Sequence, residues 1–218
     1  MMVKLKIKPV EYKERNLQEL GERVATVFYP LIDDFEILDE IDLKALLENK
    51  TLYDATVLMC CPVRFEAPFN IYINGDAVSH FLALYGVPIL GITQLPLIPS
   101  GKRGHLLNSF YKGPHNQLFG GYSNRRSQAA IASTYLEHVD SENGLERLIT
   151  TSIHEAGHIL GLKHHWRVRK NSRGMLCAMT LEINNRPFTI PKSNGPIDYL
   201  PCQYCYQKLG IETQRVLT

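Results

Sequence analysis

The stretch HEAGHILGLKHH, His154–His165, constrains this chain more than any other. It holds four of the eight histidines, with a glutamate beside the first and a glycine after the second. Leu145, Leu148, Ile149, Ile153, Ala156, Ile159 and Leu160 recur at helical spacing around it and share one broad arc of a helical wheel. His154 and His158, four residues apart, share a different arc. The spacing predicts a helix that starts at an Asn143 cap, with Glu146 in capping-box register, and stops at Gly161, which can take the left-handed conformation that ends a helix. One face of such a helix anchors it in a core, and another carries imidazoles elsewhere.

Two histidines at i and i+4 can ligate one metal ion. The glutamate next to the first is poorly turned for ligation but within reach of a metal-bound water, which is the H-E-x-x-H arrangement of a zinc hydrolase. Gly161 lets the chain turn so that His164 returns as a third nitrogen ligand. Three protein ligands leave one position open, as a catalytic zinc requires. A zinc-activated water would then attack a peptide carbonyl, with Glu155 as general base passing its proton to the leaving amine. A bare H-E-x-x-H arises by chance. Five positions fixed in eleven do so in about one chain in 10⁴–10⁵ at average residue usage, so the pattern is read as a site.

His154, Glu155, His158, Gly161 and His164 together resemble the signature of the metzincin clan of zinc metalloproteases. The cysteines downstream narrow the resemblance. Cys177 and Met179 stand in C-A-M, and Cys202 and Cys205 in C-Q-Y-C. This is similar to the archaemetzincin family, in which the zinc motif is followed at once by a cysteine, then a C-x-M, then a C-x-x-C. In that family the four cysteines hold a second, structural zinc, and the methionine forms the Met-turn beneath the catalytic one. His165 stands here where the family has its first cysteine.

The resemblance implies a zinc metallopeptidase with two zinc ions per chain. His154, His158 and His164 would hold the catalytic ion. His165, Cys177, Cys202 and Cys205, a three-cysteine, one-histidine set, would hold the structural one. It also implies an α/β class chain with a compact single-domain metzincin-like fold: a mixed twisted sheet, an active-site helix and an irregular C-terminal subdomain. Residues 1–218 would form one metalloprotease domain, with 1–161 as the sheet-and-helix subdomain and 162–218 carrying the Met-turn and second zinc site. The chain departs from the family in a longer stretch between His165 and Cys177, filled by WRVRKNSRGML, and another between Met179 and Cys202. His115 or a water in place of His165, or Cys202 and Cys205 as a redox pair, therefore stay open. Met175 competes with Met179 for the Met-turn, and the C-x-M match favours Met179.

The rest of the chain suits a mixed sheet. MVKLKIKPVEY, DDFEILDEID, TVLMCCPV, FNIYIN, VPILGITQLPL, QLFGGYSN and SQAAIASTYLE read as strands, and NLQELGERVATVFYPL, DLKALLENK and DAVSHFLALYG as helices. Asn16 is a candidate cap, Asn74-Gly75 a candidate turn, and Ile98–Gln117 mostly loop. Cys60 and Cys61 read as small buried hydrophobes. A net charge of +2 requires neither nucleic acid nor an anionic membrane as partner. No apolar run has the length of a membrane span, and MMVKLKIKPV lacks the apolar core of a signal peptide, so a cytoplasmic location is expected.

A peptide or protein substrate is expected. SQAAIASTYLE would be either an edge strand that takes an extended substrate by β-addition or an ordinary internal strand. Tyr199 is either an oxyanion stabiliser or a half-buried bystander. Arg167, Arg169, Lys170 and Arg173 read as a solvated face, and His80, His105, His115 and His138 have no metal spacing. The alternative from another class is a catalytically silent, zinc-stabilised binding module for protein or nucleic acid. An intact Glu155 argues against it. A short basic cluster with Trp166 as its stacking aromatic gives no reason to expect nucleic acid. The oligomeric state stays open, with a monomer as the expectation.

Overall fold

Leu5 and Ile7 alternate with Lys4, Lys6 and Lys8, and Val3–Val10 accordingly forms a strand, β1, in which Leu5 and Ile7 are fully buried. A computed structural model of the chain describes residues 2–13, 16–42, 73–95, 97–98, 121–124, 126–133, 144–165, 167, 169–180 and 200–211. In α1 (Leu17–Phe28), Leu17, Leu20, Val24, Val27 and Phe28 are buried, as their spacing requires. Asn16 makes no side-chain cap there and instead accepts a hydrogen bond from the Tyr12 hydroxyl at 2.7 Å. β2 (Ile32–Ile37) and β3 (Ile73–Asn74) come next. Asn74-Gly75 does not turn the chain. Gly75 opens α2 (Gly75–Leu82), where an added Cβ would lie 2.7 Å from that of Tyr122, so the missing side chain lets this helix close on a neighbouring strand. A 3₁₀ turn at Ala83–Tyr85 ends at Gly86, in the left-handed half of conformational space (φ 97°).

β4 (Ile89–Thr93), β5 (Leu97–Ile98), β6 (Gly121–Asn124), β7 (Ala129–Ser133), α3 (Gly144–Ile159) and α4 (Gln203–Leu209) complete the order. Five strands form one sheet in the order β2-β1-β4-β7-β6, parallel except where β6 runs antiparallel to β7. β3 and β5 pair separately. Alternation sorts the sheet's residues onto two faces. Leu5, Ile7, Leu90, Ile92, Ala130 and Ala132 join the core shared with α1 and α3. Val10, Ile89, Ala129 and Ile131 join a second core with Val78 and Leu82 of α2.

SQAAIASTYLE thus supplies an internal strand. β7 lies between β4 and β6 with all five residues buried, and small apolar side chains suit a strand covered on both faces. The edge beside it is β6, from the preceding segment, and β2 is the edge on the other side. All of DLKALLENK after Asp42, TVLMCCPV with Cys60 and Cys61, residues 99–117 and Asn143 lie outside the described residues. No helix among the described residues is long and apolar enough to cross a membrane.

α3 buries Leu148, Ile149, Ile153, Ala156 and Ile159 against the sheet. Glu146 lies in its first turn, and the expected capping partner Asn143 is outside the described residues. The Glu146 carboxylate takes both Nη groups of Arg23 on α1, with Nη2 donating to Oε2 at 2.7 Å, the bidentate guanidinium offering two charge-assisted bonds. The pair is partly exposed, which limits its strength. Arg23→Ala and Glu146→Ala should each lower stability by about 0.5–1 kcal/mol, and a double-mutant cycle read by chemical denaturation should return a coupling of similar size.

Candidate metal centres

Helix α3 ends where the sequence requires. Gly161 lies at φ +92°, its N–H reaches His158 O at 3.0 Å, and the Leu162 N–H reaches Gly157 O at 2.8 Å. The turn brings His164 back over the helix. The Nε2 atoms of His154 and His164 lie 3.0 Å apart, those of His158 and His154 3.0 Å, and those of His158 and His164 2.9 Å. A hydrogen bond between His154 and His158 fails on proton count. His154 Nδ1 donates to Ala178 O at 2.6 Å and His158 Nδ1 donates to Leu162 O at 2.9 Å. A carbonyl only accepts, so the proton of each neutral ring sits on Nδ1 and its Nε2 is a bare lone pair. Converging lone pairs are what a cation binds, with the tautomers fixed from behind. Zinc fits: bonds of about 2.0–2.1 Å set the nitrogens of a tetrahedral site about 3.3 Å apart, near the spacing seen.

Glu155 is 5% exposed and faces the edge strand. A Cβ on Gly121 of β6 would fall 2.6 Å from Glu155 Cγ and 2.7 Å from its Cδ, so only glycine leaves room for this carboxyl. Burial pushes Glu155 up to about 8, partly opposed by a hydrogen bond from the Ser123 side chain. Its Oε2 is buried with no hydrogen-bond partner among the described residues. Met179 is fully buried, and a Cβ on Gly157 would lie 2.7 Å from its Sδ, so its thioether rests on α3 one residue from His158. Met175, its rival by sequence, is 37% exposed.

His165 points away from this centre into a second cluster. Its Nε2 lies 3.1 Å from Cys205 Sγ and 3.4 Å from Cys202 Sγ; Cys177 Sγ and Cys205 Sγ are 3.7 Å apart, and Cys202 Sγ and Cys205 Sγ 3.8 Å. The three cysteines are free, and these separations are nearly twice a disulfide bond. Zinc–sulfur bonds of about 2.3 Å imply sulfurs about 3.8 Å apart in a tetrahedral site, which these match. All four side chains are buried. Hydrogen bonds from the neighbouring thiols hold Cys202 below the usual thiol range. The same bonding raises Cys205, and Cys177 is pushed up to about 11 chiefly through its bond to Cys202. Three sulfurs this close cannot all ionise without a cation among them. The amides of Cys202 and Met179 point at Cys177 Sγ, at 3.1 and 3.4 Å, as they would toward a ligating thiolate.

The long insertion leaves this cluster intact because it folds back on itself. Asn171 Oδ1 accepts from the amides of Arg173 and Met175, Lys170 bridges Leu176, and the Cys177 amide returns to Arg169 O at 2.8 Å. The structure therefore gathers His154, His158 and His164 in one group and His165, Cys177, Cys202 and Cys205 in another. His80 is apart from both, beside Asn124. His105, His115, His138, Trp166 and Tyr199 lie outside the described residues. Sequence reasoning missed Gly121, Ser123 and Gly157, whose roles depend on the strand and turn that face them. The double glycine in FGGYSN was the one visible trace.

No family model and no curated protein matches the sequence. Solved structures do. Archaemetzincin from Archaeoglobus fulgidus, crystallised in complex with malonate, matches with a TM-score of 0.57 and 20% sequence identity over 94% of this chain and 99% of that one. Archaemetzincin from Methanopyrus kandleri matches with a TM-score of 0.53 and 17% identity over 96% of this chain and 94% of that one. A zinc-dependent peptidase from Methanocorpusculum labreanum matches with a TM-score of 0.53 and 15% identity, covering 94% and 99%. The chain has the fold these structures share.

The seat of Met179 on Gly157 can be tested directly. Gly157→Ala should be costly although alanine favours helices, because the buried thioether must move; overpacking of this kind costs about 1–3 kcal/mol. Met179→Leu nearly conserves volume and should cost less than about 1.5 kcal/mol. Thermal unfolding of both variants should rank Gly157→Ala as the less stable.

Proposed function

We propose that the chain is a zinc metallopeptidase of the archaemetzincin family that hydrolyses peptide bonds. One observation carries the reading: the three Nε2 atoms of His154, His158 and His164 converge within 3.0 Å, beside a buried carboxyl whose Oε2 has no partner among the described residues. The three histidines would hold the catalytic zinc. When bound, zinc supplies an acidified water, with a pKa near 7, and polarises a carbonyl. Ala178 O and Leu162 O keep the rings of His154 and His158 oriented and unprotonated at Nε2. A neighbouring cation offsets the desolvation that raises Glu155, and its carboxylate becomes the general base. Oε2 takes the proton of water and returns it to the leaving amine. Ser123 and Gly121 hold that carboxyl in place without adding bulk.

The substrate side is β6. It is antiparallel to its neighbour, and among the described residues nothing pairs with its outer edge. An extended peptide adding there would run alongside Glu155. Met179 would be the Met-turn residue. His165, Cys177, Cys202 and Cys205 would hold a second, structural zinc, tying the segment after residue 161 to the sheet-and-helix part. Three thiols kept for a metal suit a reducing, cytoplasmic compartment.

Glu155→Gln keeps the ligands and should retain zinc while losing about 10²–10⁴-fold in peptide hydrolysis. Gly121→Ala should also lower kcat/KM with zinc retained, since its Cβ displaces the base. Cleavage of a good peptide by Glu155→Gln at the wild-type rate would overturn the mechanism.

Adjacent histidines should fail differently. Wild-type protein should carry two zinc ions per chain by elemental analysis. His164→Ala should weaken one ion and leave a folded chain. His165→Ala should spare the three catalytic ligands but lower thermal stability, because a structural zinc contributes folding free energy directly. One ion with nitrogen and oxygen ligands alone in the X-ray absorption spectrum would remove the second site.

A further inference from the structure

Arg167, Arg169, Lys170 and Arg173 are exposed, as a solvated face requires, but two of them share a recess. Arg167 and Arg169 line a surface pocket of about 670 Å³ together with Lys163, Lys208, Tyr204 and His164. Arg169 lies over the Tyr204 ring, 4.4 Å from its centroid, and Lys208 lies 5.6 Å from the same centroid. Tyr204 is held in turn by an edge contact with His165, at 5.7 Å between centroids, and by its place beside Cys205 in α4. Among the described residues no aspartate or glutamate lines the pocket and no ion pair engages any of the four cations. Like charges gathered at one recess repel one another and raise a local positive potential that an anion relieves. The volume suits a side chain with its flanking backbone.

His164 gives the pocket its meaning, because its Nε2 belongs to the histidine triangle while the residue lines this recess. An anion seated here is close to the bond presented to that centre. A strand advances about 3.3 Å per residue, so an acidic side chain a few residues from the cleaved bond would reach it. We propose that the pocket is a subsite for anionic side chains, carboxylate or phosphate, of an extended peptide substrate, giving the protein a preference for acidic sequence near the cleavage point. The assignment rests on the peptidase reading of the histidine centre. A nucleic-acid strand is the poorer fit. Among the described lining residues Tyr204 is the one tyrosine, tryptophan or phenylalanine, and Arg169 over its ring competes with a stacking base.

The test uses zinc-loaded Glu155→Gln protein and labelled peptides of one length, differing only in glutamate, phosphoserine, glutamine or lysine at the variable positions. Fluorescence anisotropy should show the glutamate and phosphoserine peptides binding about tenfold more tightly than the glutamine peptide, and the lysine peptide more weakly. The difference should shrink at high salt. A gain confined to phosphoserine peptides assigns the anion as phosphate, and an equal gain with glutamate assigns it as carboxylate. The Lys163→Ala, Arg169→Ala, Lys208→Ala triple variant should lose the discrimination. In wild-type protein the acidic peptides should have lower KM at similar kcat. Cleavage of all peptides without acidic preference would overturn the subsite alone. Acidic binding with no peptide cleaved would overturn the peptidase reading and the subsite with it. Tighter binding of a single-stranded oligonucleotide through the same residues would replace the substrate assignment.

Discussion

Ala178 O and Leu162 O decide what the histidine centre can bind. Each takes an Nδ1 proton, from His154 and His158, and so leaves a bare nitrogen facing its neighbours. Without those carbonyls the rings could switch tautomer and hydrogen-bond one another. With them, close approach of the nitrogens makes sense around a cation. The two acceptors come from segments far apart in construction. Leu162 follows the Gly161 turn that also returns His164. Ala178 lies between Cys177 of the sulfur cluster and Met179, which rests on α3.

The two clusters are therefore one assembly joined at two places. His164 and His165 face opposite centres from adjacent positions, and Cys177, Ala178 and Met179 divide in the same way. The His165 amide bonds Met179 O at 2.8 Å, fastening the two joints together. Whatever orders the sulfur cluster also positions the carbonyl behind His154 and the thioether under α3. Small, dense side chains make this geometry brittle, since buried atoms in contact have nowhere to relax.

The sheet sets the other wall. Ala130 and Ala132 of β7 pack in the core shared with α3, and Gly121 of β6 admits the Glu155 carboxyl. The cost of holding a carboxyl there is desolvation, visible in its raised proton affinity. A water-excluded carboxyl of that kind holds its proton at neutral pH, and a cation nearby would favour its ionised form. Reversal of strand direction at β6 leaves an antiparallel edge beside it, the arrangement an extended chain can join.

Local spacing carried much of this on its own. The i, i+4 histidines, the glycine stop and the apolar arc act within a few turns of helix, so α3 and its histidine face were legible from Leu145 to Gly161. β1, α1 and β4 were legible for the same reason, their periods being set by backbone geometry. The clustered cysteines were legible as residue types through their likeness to a family pattern, not through their spacing. Contacts between distant segments were not legible. Glu146 meets Arg23 across 123 residues, SQAAIASTYLE became internal because a shorter segment took the edge beside it, and scattered lysines and arginines came together around Tyr204. The sequence by itself determined which residues could bind metal and which helix would present them. Only the tertiary structure decided which nitrogens are bare, which strand is exposed and which charges share a pocket, because those depend on atoms brought together by packing and not by neighbouring positions in the chain.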